Sequence, residues 1–134
     1  MSSFIQYSDI LLDGFTHNSK SSDVISKKHD LLIVNFGHAG NGNIHVNLLY
    51  DPAQPGEAER ANRCLDDLFS LVLSLRGTLS GEHGVGIAKR DFVDRELDTG
   101  TLDLMRAIKA QFDPNDILNF GKAFPVDGVE PWGH

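Results

Sequence analysis

Two short apolar runs, Leu31–Phe36 (LLIVNF) and Ile44–Tyr50 (IHVNLLY), flank the glycine-rich segment GHAGNGN, and no other feature constrains the fold as strongly. Both runs carry β-branched residues, and Asn41-Gly42 between them is a favoured source of positive φ in tight turns. They predict two antiparallel strands joined by a glycine-rich loop. Successive strand residues point to opposite faces, so Ile44, Val46 and Leu48 share one face while His45, Asn47 and Leu49 share the other. A polar pair, His45 and Asn47, therefore projects together from an otherwise apolar strand.

Helices follow the strands. Within residues 56–76, Ala58, Ala61, Leu65, Leu68, Val72 and Leu75 recur at three- and four-residue steps, and Gly77 suits the position just past the helix end. Cys64 lies beside that stripe and reads as a buried core thiol. Thr78–Ser80 is a candidate for a brief strand, and a short helix is expected over 88–97. Another is expected over 101–112, with Leu102, Met105, Ile108 and Phe112 facing inward; Asp113-Pro114 ends it, and Asp113 can cap a further turn. Together these elements predict an α+β fold: a small antiparallel sheet with helices packed on one face. Residues 1–30 read as an irregular or short helical segment, with Phe4, Tyr7, Leu11 and Phe15 near helical spacing. The polar, serine-rich stretch 17–30 reads as a loop or linker, residues 31–123 as the organised domain, and 124–134 as an extended tail.

The chain has 134 residues, enough for one domain with a real core, but not for a dinucleotide-binding domain and a substrate domain together. Its net charge of −7 argues against a phosphate-backbone binder, so no nucleic-acid partner is expected. No apolar run approaches the roughly 20 residues of a membrane span. The first residues resemble neither a secretory signal nor a transit peptide. The single cysteine excludes an internal disulfide and fits a reducing compartment, so a cytoplasmic location is expected.

Three of the six histidines sit among glycines: His38 in GHAG, His45 in GNIHVN and His83 in SGEHGVG, the last directly after Glu82. Two histidines and a carboxylate suffice for an open divalent-metal site in which water or substrate takes the remaining positions. The seven-residue spacing of His38 and His45 fits one side of a helix, but the flanking runs favour a hairpin that returns a loop histidine to a strand histidine. Any one of these residues alone is more simply a surface or hydrogen-bonded histidine. The glycine loop could also cradle a phosphate, but a β-type run follows it and no Lys-Ser/Thr pair succeeds it, which disfavours a nucleotide site.

Taken in order, GHAGNGNIHVN, SGEHGVGIAK and IKAQFDPNDILNFGK resemble three signatures of the C-terminal domain of FAD-linked oxidases. That family, within the vanillyl-alcohol oxidase superfamily, includes D-lactate dehydrogenase, D-2-hydroxyglutarate dehydrogenase and the flavin subunit of glycolate oxidase. The resemblance covers about residues 31–123; residues 1–30 do not share it. It implies that His38, His45 and Glu82 ligate a divalent metal, zinc first, with manganese or iron as alternatives. It likewise implies that His83 is the catalytic base and that Asn47 contacts substrate. Asn41 stands where the family usually has Asp, and Phe120 where it usually has Pro; neither change removes a ligand.

The family's flavin-binding domain is not visible in this chain, so FAD is expected on a domain in cis or on a separate subunit. The chain then reads as a truncated C-terminal domain: the metal- and substrate-binding half of an enzyme acting on small D-2-hydroxy acids. Alternatives are a catalytically silent metal-binding or interaction fragment, and a metal hydrolase. Sheet edges and apolar surface left uncovered by truncation would favour homo-oligomers.

Overall fold

The computed structural model describes residues 4–11, 15–38, 40 and 42–125. The elements, in order, are β1 (Phe4–Leu11), α1 (Phe15–His29), β2 (Leu32–His38), β3 (Asn43–Leu49), α2 (Glu57–Ser74), a 3-10 turn (Arg90–Phe92), α3 (Val93–Glu96) and α4 (Thr99–Phe112). This is the expected α+β arrangement. The described residues divide into two compact units, one through His83 and one from Gly84.

In the first unit the three strands form one antiparallel sheet in the order β1-β3-β2. The expected hairpin is present as β2–β3, with Gly42 in the loop at φ 74°; Asn41 lies outside the described residues. Gly37 is required by the pairing itself: a Cβ there would stand 2.2 Å from the Asn43 carbonyl oxygen. As the central strand, β3 is the most protected, and Ile44, Val46 and Leu48 are buried. Asn35, paired with Val46, donates from Nδ2 to Ser22 Oγ on α1 at 2.6 Å, so α1 covers the face that carries Ile44, Val46 and Leu48.

Helix α2 buries Ala61, Cys64, Leu65, Leu68, Phe69 and Val72, the stripe expected of an amphipathic helix. It packs against α1, where Lys28 Nζ and His29 Nε2 both meet Asp67 Oδ2 at 2.6 Å. The two hydrogen bonds hold the Asp67 carboxyl below its usual 3.8. Burial, with the charge of Asp67 adding to it, pushes the Cys64 thiol up to about 11, so it is an inert core group as expected. At the end of α2 the left-handed residue is Arg76 (φ 59°) rather than Gly77; the Gly77 amide donates to the Val72 carbonyl and the Arg76 amide to that of Leu73, closing a Schellman motif.

Three expectations need correcting. Residues 4–11 form a strand, not a short helix. The apparent helical spacing loses to an available partner, the second edge of β3, which β1 joins with a bulge between Gln6 and Asp9. Residues 15–29 form a helix, not a loop or linker. Its low intrinsic amphipathicity is offset by docking on β2 and α2, and a left-handed Asp30 then terminates it.

The third correction lies in the second unit. There Asp98 caps α4 by accepting the Thr101 amide at 2.9 Å, and Leu102 is buried as expected. Met105, Ile108 and Phe112, however, are exposed, Phe112 at 82%. Asp113 accepts the amides of Ile117 and Leu118 and the Lys109 ammonium, so it holds a turn after α4, though no helix follows among the described residues. Buried Arg90 ties this unit together by donating to the Gly121 carbonyl at 2.8 Å. Of the tail expected over 124–134, residues 126–134 lie outside the described residues.

Candidate functional site

The sheet register determines which side chains can meet. Phe36 pairs with His45 and Val34 with Asn47, so these four project from the sheet face opposite the one covered by α1. His38, two residues beyond Phe36, lies on the same face. The segment after α2 makes a single bridge at Thr78, the remnant of the expected brief strand, and then delivers Glu82 and His83.

His38, His45 and Glu82 each offer one ligand atom, and these atoms all lie within 4.8 Å of one another. His45 Nε2 stands 3.4 Å from Glu82 Oε1, longer than a charge-assisted hydrogen bond. Two donors held about 2.1 Å from one ion at tetrahedral or octahedral angles are separated by roughly 3.0–3.4 Å, so the pair is spaced as two ligands rather than as a salt bridge. His38 and Glu82 are exposed, which leaves room for their side chains to rotate toward a shared ion. The ring of His38 meets that of His45 edge-on with centroids 5.8 Å apart. His45 itself is buried, and its Nδ1 has no hydrogen-bond partner among the described residues. A cation held at Nε2 would not reach Nδ1 across the same ring, so the fit to a cation rests on the spacing of Nε2 and the two neighbouring donors. The donor set therefore fits a divalent cation.

His83 falls outside that three-residue group but stacks on His45, with centroids 5.1 Å apart and planes at 21°. Its Nε2 is 3.6 Å from Glu82 Oε1. Asn47, two residues along β3 from His45, has a buried Oδ1 without a hydrogen-bond partner among the described residues. The structure thus brings together His38, His45, Glu82 and His83, and sets Asn47 beside them on one face. One member was missed from sequence: Phe36, whose ring packs 5.0 Å from that of His45. It reads as one more residue of an apolar run, and only its pairing with His45 singles it out.

Residues 16–123 match the family model of FAD linked oxidases, C-terminal domain, and the chain belongs to this family. The match includes most of α1, which corrects the expectation that the first 30 residues stand apart from the family. The chain is 41% identical over 108 residues to glycolate oxidase subunit GlcD of Bacillus subtilis, covering 81% of this chain and 23% of that protein. It is 39% identical over 119 residues to D-lactate dehydrogenase [cytochrome] 1, mitochondrial, of Saccharomyces cerevisiae, covering 89% and 19%. A third relative is D-2-hydroxyglutarate dehydrogenase of Stutzerimonas stutzeri, 39% identical over 112 residues, covering 78% and 24%. The chain therefore spans about a fifth to a quarter of the length of these relatives. Among the described residues, no helix is long and apolar enough to cross a membrane.

Proposed function

We propose that this chain is the cation- and substrate-binding part of a FAD-dependent enzyme that oxidises small D-2-hydroxy acids, with the flavin carried by another domain or a separate subunit. The observation behind this reading is the cluster of three donors within 4.8 Å, with His83 stacked against it. His38, His45 and Glu82 would hold the divalent cation; two imidazoles and a carboxylate suit zinc first, and manganese or iron as alternatives. When bound, the cation would supply Lewis-acid polarisation of the substrate's carboxylate and α-hydroxyl, and the flavin would supply the hydride acceptor.

The remaining work falls to side chains of this chain. His83, half exposed beside the cluster, receives the proton of the substrate hydroxyl at an imidazole nitrogen. Asn47 orients the substrate: with its amide turned, its NH2 donates to the substrate carboxylate, leaving the hydroxyl proton to His83. Because chemistry needs flavin and the chain spans so little of its relatives, a second reading applies to the chain alone: a catalytically silent metal-binding or interaction fragment.

Elemental analysis of the purified chain tests the ligand set. The wild type is expected to carry about one divalent cation per chain, and Glu82→Gln to lose it at least tenfold in affinity. In enzyme reconstituted with its flavin partner, His83→Ala is expected to lower turnover by a factor of about 10² to 10⁴ while keeping its cation. Equal cation content in wild type and Glu82→Gln would refute the metal site, and loss of cation in His83→Ala would move His83 into the ligand set. Reconstituted wild type without turnover would leave the silent reading standing.

A further inference from the structure

The sheet face that carries the cluster continues along β2 as an apolar shelf. Phe36 and Val34 stand opposite His45 and Asn47 and remain 50% and 41% exposed. Phe36 touches the cluster directly through its ring contact with His45. Alternate residues on a strand are roughly 7 Å apart, so the two side chains form a strip that begins at the cation ligands and leads away from them. No Lys or Arg occurs in β2, in β3 or in Ser80–His83.

We propose that Phe36 and Val34 are specificity-determining residues: they form the subsite for the substrate's side chain and select 2-hydroxy acids with an apolar side chain over those with a second carboxylate. This rests on the function proposed above. A substrate anchored through its carboxylate and hydroxyl at His38, His45, Glu82 and Asn47 has its side chain free to lie along the strip. Each methylene covered there is worth roughly fourfold in affinity. A second carboxylate on the same strip would lose water without gaining a Lys or Arg partner from β2, β3 or Ser80–His83, which opposes binding. The three relatives named above are described by glycolate, D-lactate and D-2-hydroxyglutarate, which differ in this side chain.

The full chain loaded with Co2+ provides the test, because its visible spectrum reports the ligands and calorimetry reports binding without any need for turnover. D-2-Hydroxyisocaproate is expected to bind at least tenfold more tightly than D-2-hydroxyglutarate. Phe36→Ala is expected to reduce that ratio to about threefold or less. Val34→Lys, an exposed change on an edge strand away from the ligands, is expected to invert the ratio with the Co2+ spectrum unchanged. Equal or tighter binding of D-2-hydroxyglutarate by the wild type would overturn the proposal, as would a ratio that neither substitution alters. Failure of Co2+ to bind, or binding indifferent to Glu82→Gln, would remove the metal site and the subsite with it. Co2+ bound through Glu82 with a flat ratio would remove the subsite alone.

Discussion

The two units use opposite means to hold their residues in place. The first has an apolar core: Ile44, Val46 and Leu48 on β3, and six positions along α2, are withdrawn from water, while Leu32, Val34 and Phe36 on β2 stay exposed. Among the described residues, the second buries Lys89, Arg90 and Asp113 with only Val93 and Leu102 as apolar company, and leaves Leu104, Ile108, Phe112 and Ile117 exposed. One is a conventional core that supports a site on the far side of its sheet; the other is secured by directional polar ties. The contrast teaches where a closely spaced donor cluster can be built: on a strand whose other face is buried. Ligand donors only ångströms apart keep their spacing when the strand beneath them cannot move.

The largest expected effect breaks the comparison at the core. Leu48→Ala should cost about 3 kcal/mol, because a fully buried leucine on the central strand leaves a cavity that a three-stranded sheet cannot easily close. Urea unfolding of the purified chain measures it, and a loss below 1 kcal/mol would show that β3 is not the structural centre of its unit.

A second, smaller effect belongs to α4. Hydrogen bonds from Thr101 hold Asp98 below its usual 3.8, and the hydrogen bond from Lys109 does the same for Asp113. A carboxylate whose folded value is depressed stabilises above its unfolded value, and that contribution is lost as pH falls through the folded one. Both ends of α4 should therefore fray below about pH 4 while amides of β3 stay protected. Amide exchange between pH 5 and pH 2.5 tests this, and simultaneous loss of both regions would erase the distinction.

The smallest effect on stability concerns the outward apolar residues. Phe112→Ser should change unfolding free energy by less than about 0.5 kcal/mol, as exposed substitutions usually do. It should nonetheless reduce self-association measured by light scattering, since exposed apolar patches of this kind drive contact between molecules. An unchanged distribution of species would assign the outward face no part in assembly.

Much of the first unit was legible because its signals are local. The glycine loop between two β-branched runs specifies a hairpin, strand alternation sets His45 and Asn47 on one face, and the three- and four-residue steps of α2 name its buried stripe. What misled was local too. Phe4, Tyr7, Leu11 and Phe15 imitate a helical period, and 17–30 is polar enough to pass for a linker. Neither stretch carries within itself the energy that decides its state: β1 is a strand because β3 offers an unpaired edge, and α1 is a helix because β2 and α2 supply its docking surface. In α4 the period was read correctly but its inward face was not, since periodicity says which residues share a face and not whether anything covers it.

The amino-acid order alone thus determined the chemical cast: two histidines beside glycines, a Glu-His pair, an asparagine two residues past the second histidine, and a helix to back them. Only the folded chain decided the distances, the stacking of His83 on His45, and the placement of Phe36 against the same ring. The reason is physical. Residue type and short-range spacing are carried by the chain's covalent order, whereas the approach of Glu82 to His45, separated by an entire helix, exists only once sheet pairing and core burial have brought the two segments together.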